Sequence, residues 1–331
     1  MTITSGHAGG GTVGGAAGPL RMIWVELGLE CQLSCLHCYA GAGPGLGFGS
    51  MSADDWERVI GEAAGLGAGR VTFIGGEPTL SRALGRLVRV AVGLGLRAEV
   101  YSNLVRVPPA LWEVFGLPGV SLAVSWYTDD RAQHAAITGG HDTWRQTRAN
   151  VAEAVRRGIP VRGGVVDGVV PGQRSGDGER ELRALGVVDV GWDRVREFGR
   201  GTVAAPGQAC GSCGRGVAAV LSDGTVTPCP MTRWLAAGSV RDAPLADIVG
   251  TVAGMAATLP ARVPAGGAGD CSPDWKPCRP DDVCGPDGNC RPTASAGLAA
   301  AGREDGACDP TCIPDSWCPP LCGPGACKPR V

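Results

Sequence analysis

Between Arg21 and about Arg200, short and nearly continuous apolar runs alternate with longer stretches in which apolar residues recur every three to four positions. The short runs predict strands: MIWVEL at 22–27, VTFIG at 71–75, AEVYS at 98–102, VSLAVSW at 120–126, PVRGGVV at 160–166 and VVDVGWDRV at 187–195. The longer stretches predict helices over 53–66, 81–93, 109–115, 142–157 and 178–185. MSADDWE is a strong start signal, because Ser52 can cap the first turn and the acids after it favour the helix amino end. Strand and helix in alternation, with apolar strands, predict a parallel sheet covered by helices. Both a partial (β/α) barrel and an open doubly wound sheet satisfy that pattern, and both place chemistry at the carboxyl ends of the strands.

The pattern changes after residue 200. VAAVLSDGTVTPC reads as a hairpin turned at Asp223 and Gly224. From Val263 to Val331, proline, glycine and cysteine dominate, leaving 294–301 as the one helix candidate of that tail. Such a tail buries too little apolar surface to fold unaided, so it is expected to be disordered or stapled by metal. PDWKPCRPDDVCGPDGNCRP at 273–292 also resembles PDSWCPPLCGPGACKP at 314–329, as duplication of a metal-binding loop would produce. The glycine-rich residues 1–20 read as a disordered arm without the apolar core of a signal peptide.

The chain has 331 residues, 30 basic against 32 acidic, for a formal net charge of -2. No global basic field argues for nucleic acid as the main partner. No run approaches the length of a membrane span, so the expectation is a cytoplasmic protein with no membrane partner. The 15 cysteines cannot all pair in disulfides, being odd in number. In a reducing compartment dense cysteine points to metal or redox chemistry. Three fall at 31, 35 and 38, the next twelve at 210 and beyond, which predicts two separate cysteine systems around a cysteine-free body.

A closed structural zinc site wants four ligands, whereas Cys31, Cys35 and Cys38 supply three. A four-iron cluster held by three thiolates keeps one iron open, as catalytic metal sites do. CxxxCxxC after the first strand, followed by GGEP at Gly75, Gly76, Glu77 and Pro78 after the second, resembles the radical S-adenosylmethionine (SAM) superfamily. The likeness spans the domain order of about 21–200, with identity confined to short motifs. It implies a partial (β/α)6 TIM-type barrel in which the open iron chelates SAM and reductive cleavage gives a 5′-deoxyadenosyl radical. Position by position, it implies that His37 packs near adenine, that Gly75 and Gly76 let backbone approach the ligand, that Glu77 bonds the methionyl ammonium and that Pro78 fixes the turn. Ser102 and Asn103 match a pair that contacts ribose, with Ser125 a weaker candidate of the same kind. Trp24, Trp56, Trp112, Trp126 and Trp144 read as core or rim, and His134 and His141 as ordinary surface or helix-end residues.

Behind the barrel, residues 201–331 resemble the SPASM extension, a small, mostly irregular iron–sulfur domain. The likeness implies one auxiliary four-iron cluster on Cys210, Cys213, Cys229 and Cys322 and a second on Cys308, Cys312, Cys318 and Cys327. The first gap of the later set is one residue longer than the family's, and the opening pair is closer together. Cys271, Cys278, Cys284 and Cys290 remain for a further cluster or a zinc, or replace the later set as ligands; a zinc-stapled tail without redox function is the alternative.

Enzymes of this layout modify ribosomally made peptides, often by crosslinking side chains. The expected partners are a precursor peptide, a separate leader-recognition protein, since no such domain is visible before Arg21, and an external one-electron donor such as a flavodoxin or ferredoxin. Two rival readings are a radical SAM dehydrogenase of a small alcohol or a protein Ser or Cys, and a non-enzymatic iron–sulfur or metal-binding protein.

Overall fold

Six strands run parallel in chain order, β1 (Met22–Glu26), β2 (Arg70–Ile74), β3 (Arg97–Tyr101), β4 (Val120–Trp126), β5 (Val161–Asp167) and β6 (Asp189–Arg194), each paired with the next. This is a computed structural model. It describes residues 20–196, 198–200, 213–256 and 259, and the backbone of two short segments at 282–284 and 290–292.

The helices between the strands are α1 (Ala53–Gly65), α2 (Leu84–Gly93), α3 (Pro109–Phe115), α4 (Arg131–Ile137), α5 (Trp144–Arg156) and α6 (Ser175–Ala184). Ser52 and Asp55 close a capping box on α1, so the acid that completes it is one methylene shorter than the usual glutamate. α4 escapes the periodicity reading because it is seven residues long and mostly polar or alanine; Asp130 caps it through Gln133 N–H at 2.7 Å.

Strand residues alternate between two faces. Ile23, Val71, Ala98, Leu122 and Val161 lie on the helix-covered side and are fully or almost fully buried in the main core. Met22, Trp24, Arg70, Glu99, Tyr101 and Arg162 take the other side and line a cavity of about 310 Å³ at the mouth of the sheet. The mixed α/β fold with an open parallel sheet is that of a partial TIM-type barrel, as expected.

The later residues join this sheet. β7 (Val217–Val220) hydrogen-bonds in parallel to β1, and the hairpin to β8 (Thr225–Thr227), then β9 (Gly238–Ser239), extends the sheet to nine strands in the order β6-β5-β4-β3-β2-β1-β7-β8-β9. α7 (Leu245–Ala256) follows, with Leu245, Ile248 and Val252 buried in the same core as α1. The hairpin turned at Asp223 and Gly224 forms as expected; its parallel seat beside β1, and α7 after it, were not read from the sequence. The short strands β10 (Asp282–Cys284) and β11 (Cys290–Pro292) pair antiparallel, with Cys284 opposite Cys290. The arm at 1–19 and Cys210, Cys271, Cys278, Cys308, Cys312, Cys318, Cys322 and Cys327 lie outside the described residues.

Candidate active site

β1 ends at Glu26 and the chain enters a loop that carries Cys31, Cys35 and Cys38, all three lining the cavity. The loop is seated by backbone. Gly76 N–H donates to Gly28 O and Glu77 N–H to Glu30 O, both at 2.8 Å. A Cβ on Gly75 would sit 2.6 Å from Gly28 O, at a φ of +147° that disfavours any side chain, and one on Gly76 would overlap the carbonyl of Glu30. The two glycines thus permit one strand-end loop to lie on the other. That close approach is to the cysteine loop's own backbone, where the sequence suggested approach to a ligand.

Glu77 and Pro78 do not line the cavity. Glu77 is 1 % exposed, and its carboxylate accepts hydrogen bonds from Thr79 N–H (2.9 Å), Thr79 Oγ1 (2.7 Å), Ser102 Oγ (2.8 Å) and Asn103 N–H (2.7 Å). Burial pushes its pKa up, and these donors work against that shift. With four donors spent on it, Glu77 faces the polypeptide and not the space where a ligand ammonium was expected. Its function in the geometry is to tie the end of β2 to the end of β3. Asn103, so placed, lines the cavity and turns its side-chain nitrogen toward the Cys31 sulfur at 3.7 Å, while its Oδ1 accepts from Gln32 Nε2 and Val105 N–H at 3.0 Å each. Ser102 also borders the cavity, with its hydroxyl committed to Glu77 and to Leu104 N–H.

His37 reaches back from the loop onto Tyr127, ring centroids 5.1 Å apart and edge to face. Its Nδ1 is buried without a partner, and burial lowers its pKa to about 4, so the ring is neutral near pH 7. Ser125 borders the cavity and hydrogen-bonds the Tyr127 side chain. His134, read from sequence as a surface or helix-end residue, stands in the last turn of α4 but is 2 % exposed; it packs with ring centroids 5.7 Å from Tyr127 and 6.3 Å from Trp126 of β4.

Burial pushes the Cys31 thiol up to about 11 and the Cys35 thiol up to about 12; the Cys38 sulfur disfavours charge on both, and that of Cys31 disfavours it on Cys35. Thiols in this state become ligands when a metal deprotonates them. Among the described residues no three His, Cys, Asp or Glu side chains converge on one metal ion. A cubane does not ask for convergence, because each iron takes its own thiolate and the ligands surround the cluster. Three clustered thiols, a neutral ring with a nitrogen that has no partner among the described residues, and a largely apolar cavity beside them fit a four-iron cluster with SAM next to it.

Residues 25–183 match the Radical SAM superfamily. They form a radical SAM domain. Within it, 87 residues are 39% identical to PqqA peptide cyclase of Rhodopseudomonas palustris, 26% of this chain against 22% of that protein. A longer segment, 54% of this chain, is 26% identical to the probable GTP 3′,8-cyclase of Methanopyrus kandleri over 67% of its length. The fold is similar to that of Streptococcus suis SuiB bound to precursor peptide SuiA, with a TM-score of 0.58 at 14% identity, covering 70% of this chain and 65% of that one. The chain thus spans about a fifth of the length of the PqqA peptide cyclase.

The radical SAM domain adds an inner wall that the sequence reading missed. Arg162 donates to Glu99 Oε2 at 3.1 Å and to the Tyr101 hydroxyl at 2.7 Å, with its guanidinium 5.1 Å from the Tyr101 ring centroid. Trp24, read as core or rim, stands against Tyr101 on the same wall. The available signal was charge at alternate positions of apolar strands, Glu99 in AEVYS and Arg162 in PVRGGVV.

Cys213 and Cys229 are buried in one small cluster with Leu259, and both line the same cavity. Cys229 follows β8, held by its N–H on Thr232 Oγ1 at 3.0 Å. Beyond it, Arg233 forms an ion pair with Glu26, a fully buried carboxylate at the end of β1 that also accepts from Ser222 N–H and Oγ. Among the described residues no helix is long and apolar enough to cross a membrane.

Proposed function

We propose that this protein is a radical SAM peptide maturase, which abstracts hydrogen from a ribosomally made precursor peptide and joins two of its side chains. The observation that carries the reading is the placement of two cysteine systems on one cavity, Cys31, Cys35 and Cys38 from the loop after β1 and Cys213 and Cys229 from the segment around β7 and β8. Two similar proteins, PqqA peptide cyclase and SuiB bound to its precursor peptide SuiA, support a peptide substrate.

Cys31, Cys35 and Cys38 would hold a four-iron cluster, and Gly75, Gly76, Ser102, Asn103, Ser125 and His37 would border SAM. When bound, these groups supply a 5′-deoxyadenosyl radical. The chain's own residues then do four things. Asn103 orients Cys31 through its side-chain nitrogen. Glu77 fixes Asn103 and Ser102 by accepting from both. His37 and Tyr127 form a dry aromatic floor that keeps water from the reacting centre. Arg162, Glu99, Tyr101 and Trp24 offer a polar and aromatic wall to the inserted peptide side chain. Cys213 and Cys229, with tail cysteines of a SPASM-like domain, would ligate an auxiliary cluster that accepts the second electron, since closing a crosslink is a net oxidation. A cytoplasmic flavodoxin or ferredoxin is the matching electron donor, and a separate recognition protein the matching partner for the leader.

The test is anaerobic reconstitution, chemical reduction and addition of SAM with short peptides encoded beside the gene. Expected are 5′-deoxyadenosine and a peptide lighter by two hydrogens with a new ring in its fragmentation. Cys35→Ala should abolish the nucleoside while leaving the iron held by later cysteines. Absence of 5′-deoxyadenosine from the native chain would sink the enzyme reading. Loss of two hydrogens as a carbonyl would replace crosslinking with dehydrogenation.

A further inference from the structure

The loop from Cys31 to Ala42 has no helix or strand of its own; within it Cys35 O accepts from Cys38 N–H at 3.3 Å and Cys38 O from Gly41 N–H at 3.1 Å. Both carbonyls, and that of Ala42, also accept from one residue, 165 positions after Cys35 in the chain. The backbone N–H of Arg200 donates to Cys38 O at 3.1 Å, its Nε donates to Cys35 O at 3.0 Å, and its Nη2 donates to the carbonyl of Ala42. Arg200 therefore spans the loop from the second thiol to a point beyond the third.

Gly199 is what allows this approach. It has a φ of +78°, and a Cβ there would overlap the carbonyl oxygens of Cys38 and Tyr39. Phe198, buried, packs against Trp234 with ring centroids 5.6 Å apart. The segment 198–200 is thus a strap, fastened on one side to the residues after Cys229 and on the other to the first cysteine loop. Its one full charge is a guanidinium within hydrogen-bond reach of the Cys35 backbone.

We propose that Arg200 is a positioning residue for the first cluster: it fixes Cys35 and Cys38 relative to Cys31, and its charge favours the reduced, more anionic state of the cluster. This rests on the reading of those three cysteines as cluster ligands. A guanidinium beside an anionic centre stabilises added negative charge, and two directed donors hold a loop in a way that an ammonium's point charge does not.

The experiment is a redox titration of the reconstituted full chain, following the electron paramagnetic resonance signal that changes on adding SAM. Native protein, Arg200→Gln, Arg200→Lys and Gly199→Ala are compared. Arg200→Gln is expected to shift the midpoint potential to more negative values. Arg200→Lys should keep most of the potential but lose iron to a chelator faster than native protein, because the charge survives and the fork does not. Gly199→Ala, which keeps the arginine but unseats the strap, should lose iron faster and shift the signal. Potentials and iron-loss rates equal to native in all three variants would overturn the proposal. An equal fall in the thermal midpoint of all three apoproteins would overturn it as well, since Arg200 would then brace the fold in general. A native chain with no SAM-responsive signal would instead remove the underlying cluster reading.

Discussion

The side-chain nitrogen of Asn103 lies 3.7 Å from the Cys31 sulfur while the backbone N–H of the same residue donates to Glu77 at 2.7 Å. One residue therefore links the Cys31 thiol to a buried carboxylate on a different loop. Glu77→Gln should break this arrangement, because the new amide brings its own N–H groups against the donors of Thr79, Ser102 and Asn103. The expected cost is about 2–3 kcal/mol, the range for hydrogen bonds to a charged group left unsatisfied. Thermal melts of the apoprotein measure it. Asn103→Ala, which keeps the backbone bond, should leave the melt nearly unchanged while reducing SAM cleavage by the reconstituted enzyme. A melt that falls as far as that of Glu77→Gln would contradict the division of roles.

Gly76→Ala places a methyl group in the carbonyl of Glu30. Neither backbone has room to yield without moving the loop that leads to Cys31. A loss of about 1–3 kcal/mol is expected from the overpacking, along with reduced iron content after reconstitution. Gly61→Ala in α1 is the control, since a Cβ there meets nothing within 4 Å; it should match native protein in iron content and gain up to about 1 kcal/mol in stability from the better helix former.

Glu26 is fully buried and pairs with Arg233. Arg233→Met leaves that carboxylate without its cation, and breaking a buried pair from one side costs about 3–5 kcal/mol. Glu26→Gln combined with Arg233→Met should recover part of the loss, because no net charge then stays buried. Denaturant titrations of the three variants form the cycle. Additive losses in the double variant would show that the two side chains do not act as a pair.

His134 supplies a pH prediction. Burial lowers its pKa to about 4, below the ordinary value of 6.5, so between those values the unfolded chain binds the extra proton and the folded chain does not. Stability is then complete above about pH 6.5 and is lost as pH falls toward 4, by on the order of 3 kcal/mol for a single histidine. His134→Phe should remove about half of the acid sensitivity of the apoprotein across that window, buried His37 carrying a like share. Melts at several pH values decide it, and an unchanged slope in the variant would assign the acid sensitivity elsewhere.

The helix and strand order was legible from Arg21 to Arg200 because the parallel strands are apolar on the covered face and the helices strongly periodic. The three thiols and GGEP were legible for a different reason: few other chemistries need those residues at that spacing. What escaped the sequence was the direction of side chains. Glu77 is polar and next to two glycines, which suggested a ligand contact, yet its partners are Thr79 just after it and Ser102 and Asn103 in the turn after β3, 2 to 26 positions away. The burial of His134 escaped because α4 is too short to show a face. Arg200 was invisible as a partner of Cys35 since nothing in local sequence couples residues so far apart.

The hairpin that carries Cys229 enters the molecule as β7, hydrogen-bonded to β1 with Met22 opposite Val217 and Val25 opposite Val220. Neighbouring strands stand about 4.8 Å apart, so the spacing of the two cysteine systems is set by a backbone ladder and not by a flexible joint. The later segment is therefore not a detachable cartridge. Grafting another protein's tail onto this barrel preserves the relation only where the donor strand enters beside β1 in the same register; a slip of one residue turns the hairpin's faces over and takes Cys229 away from the cavity.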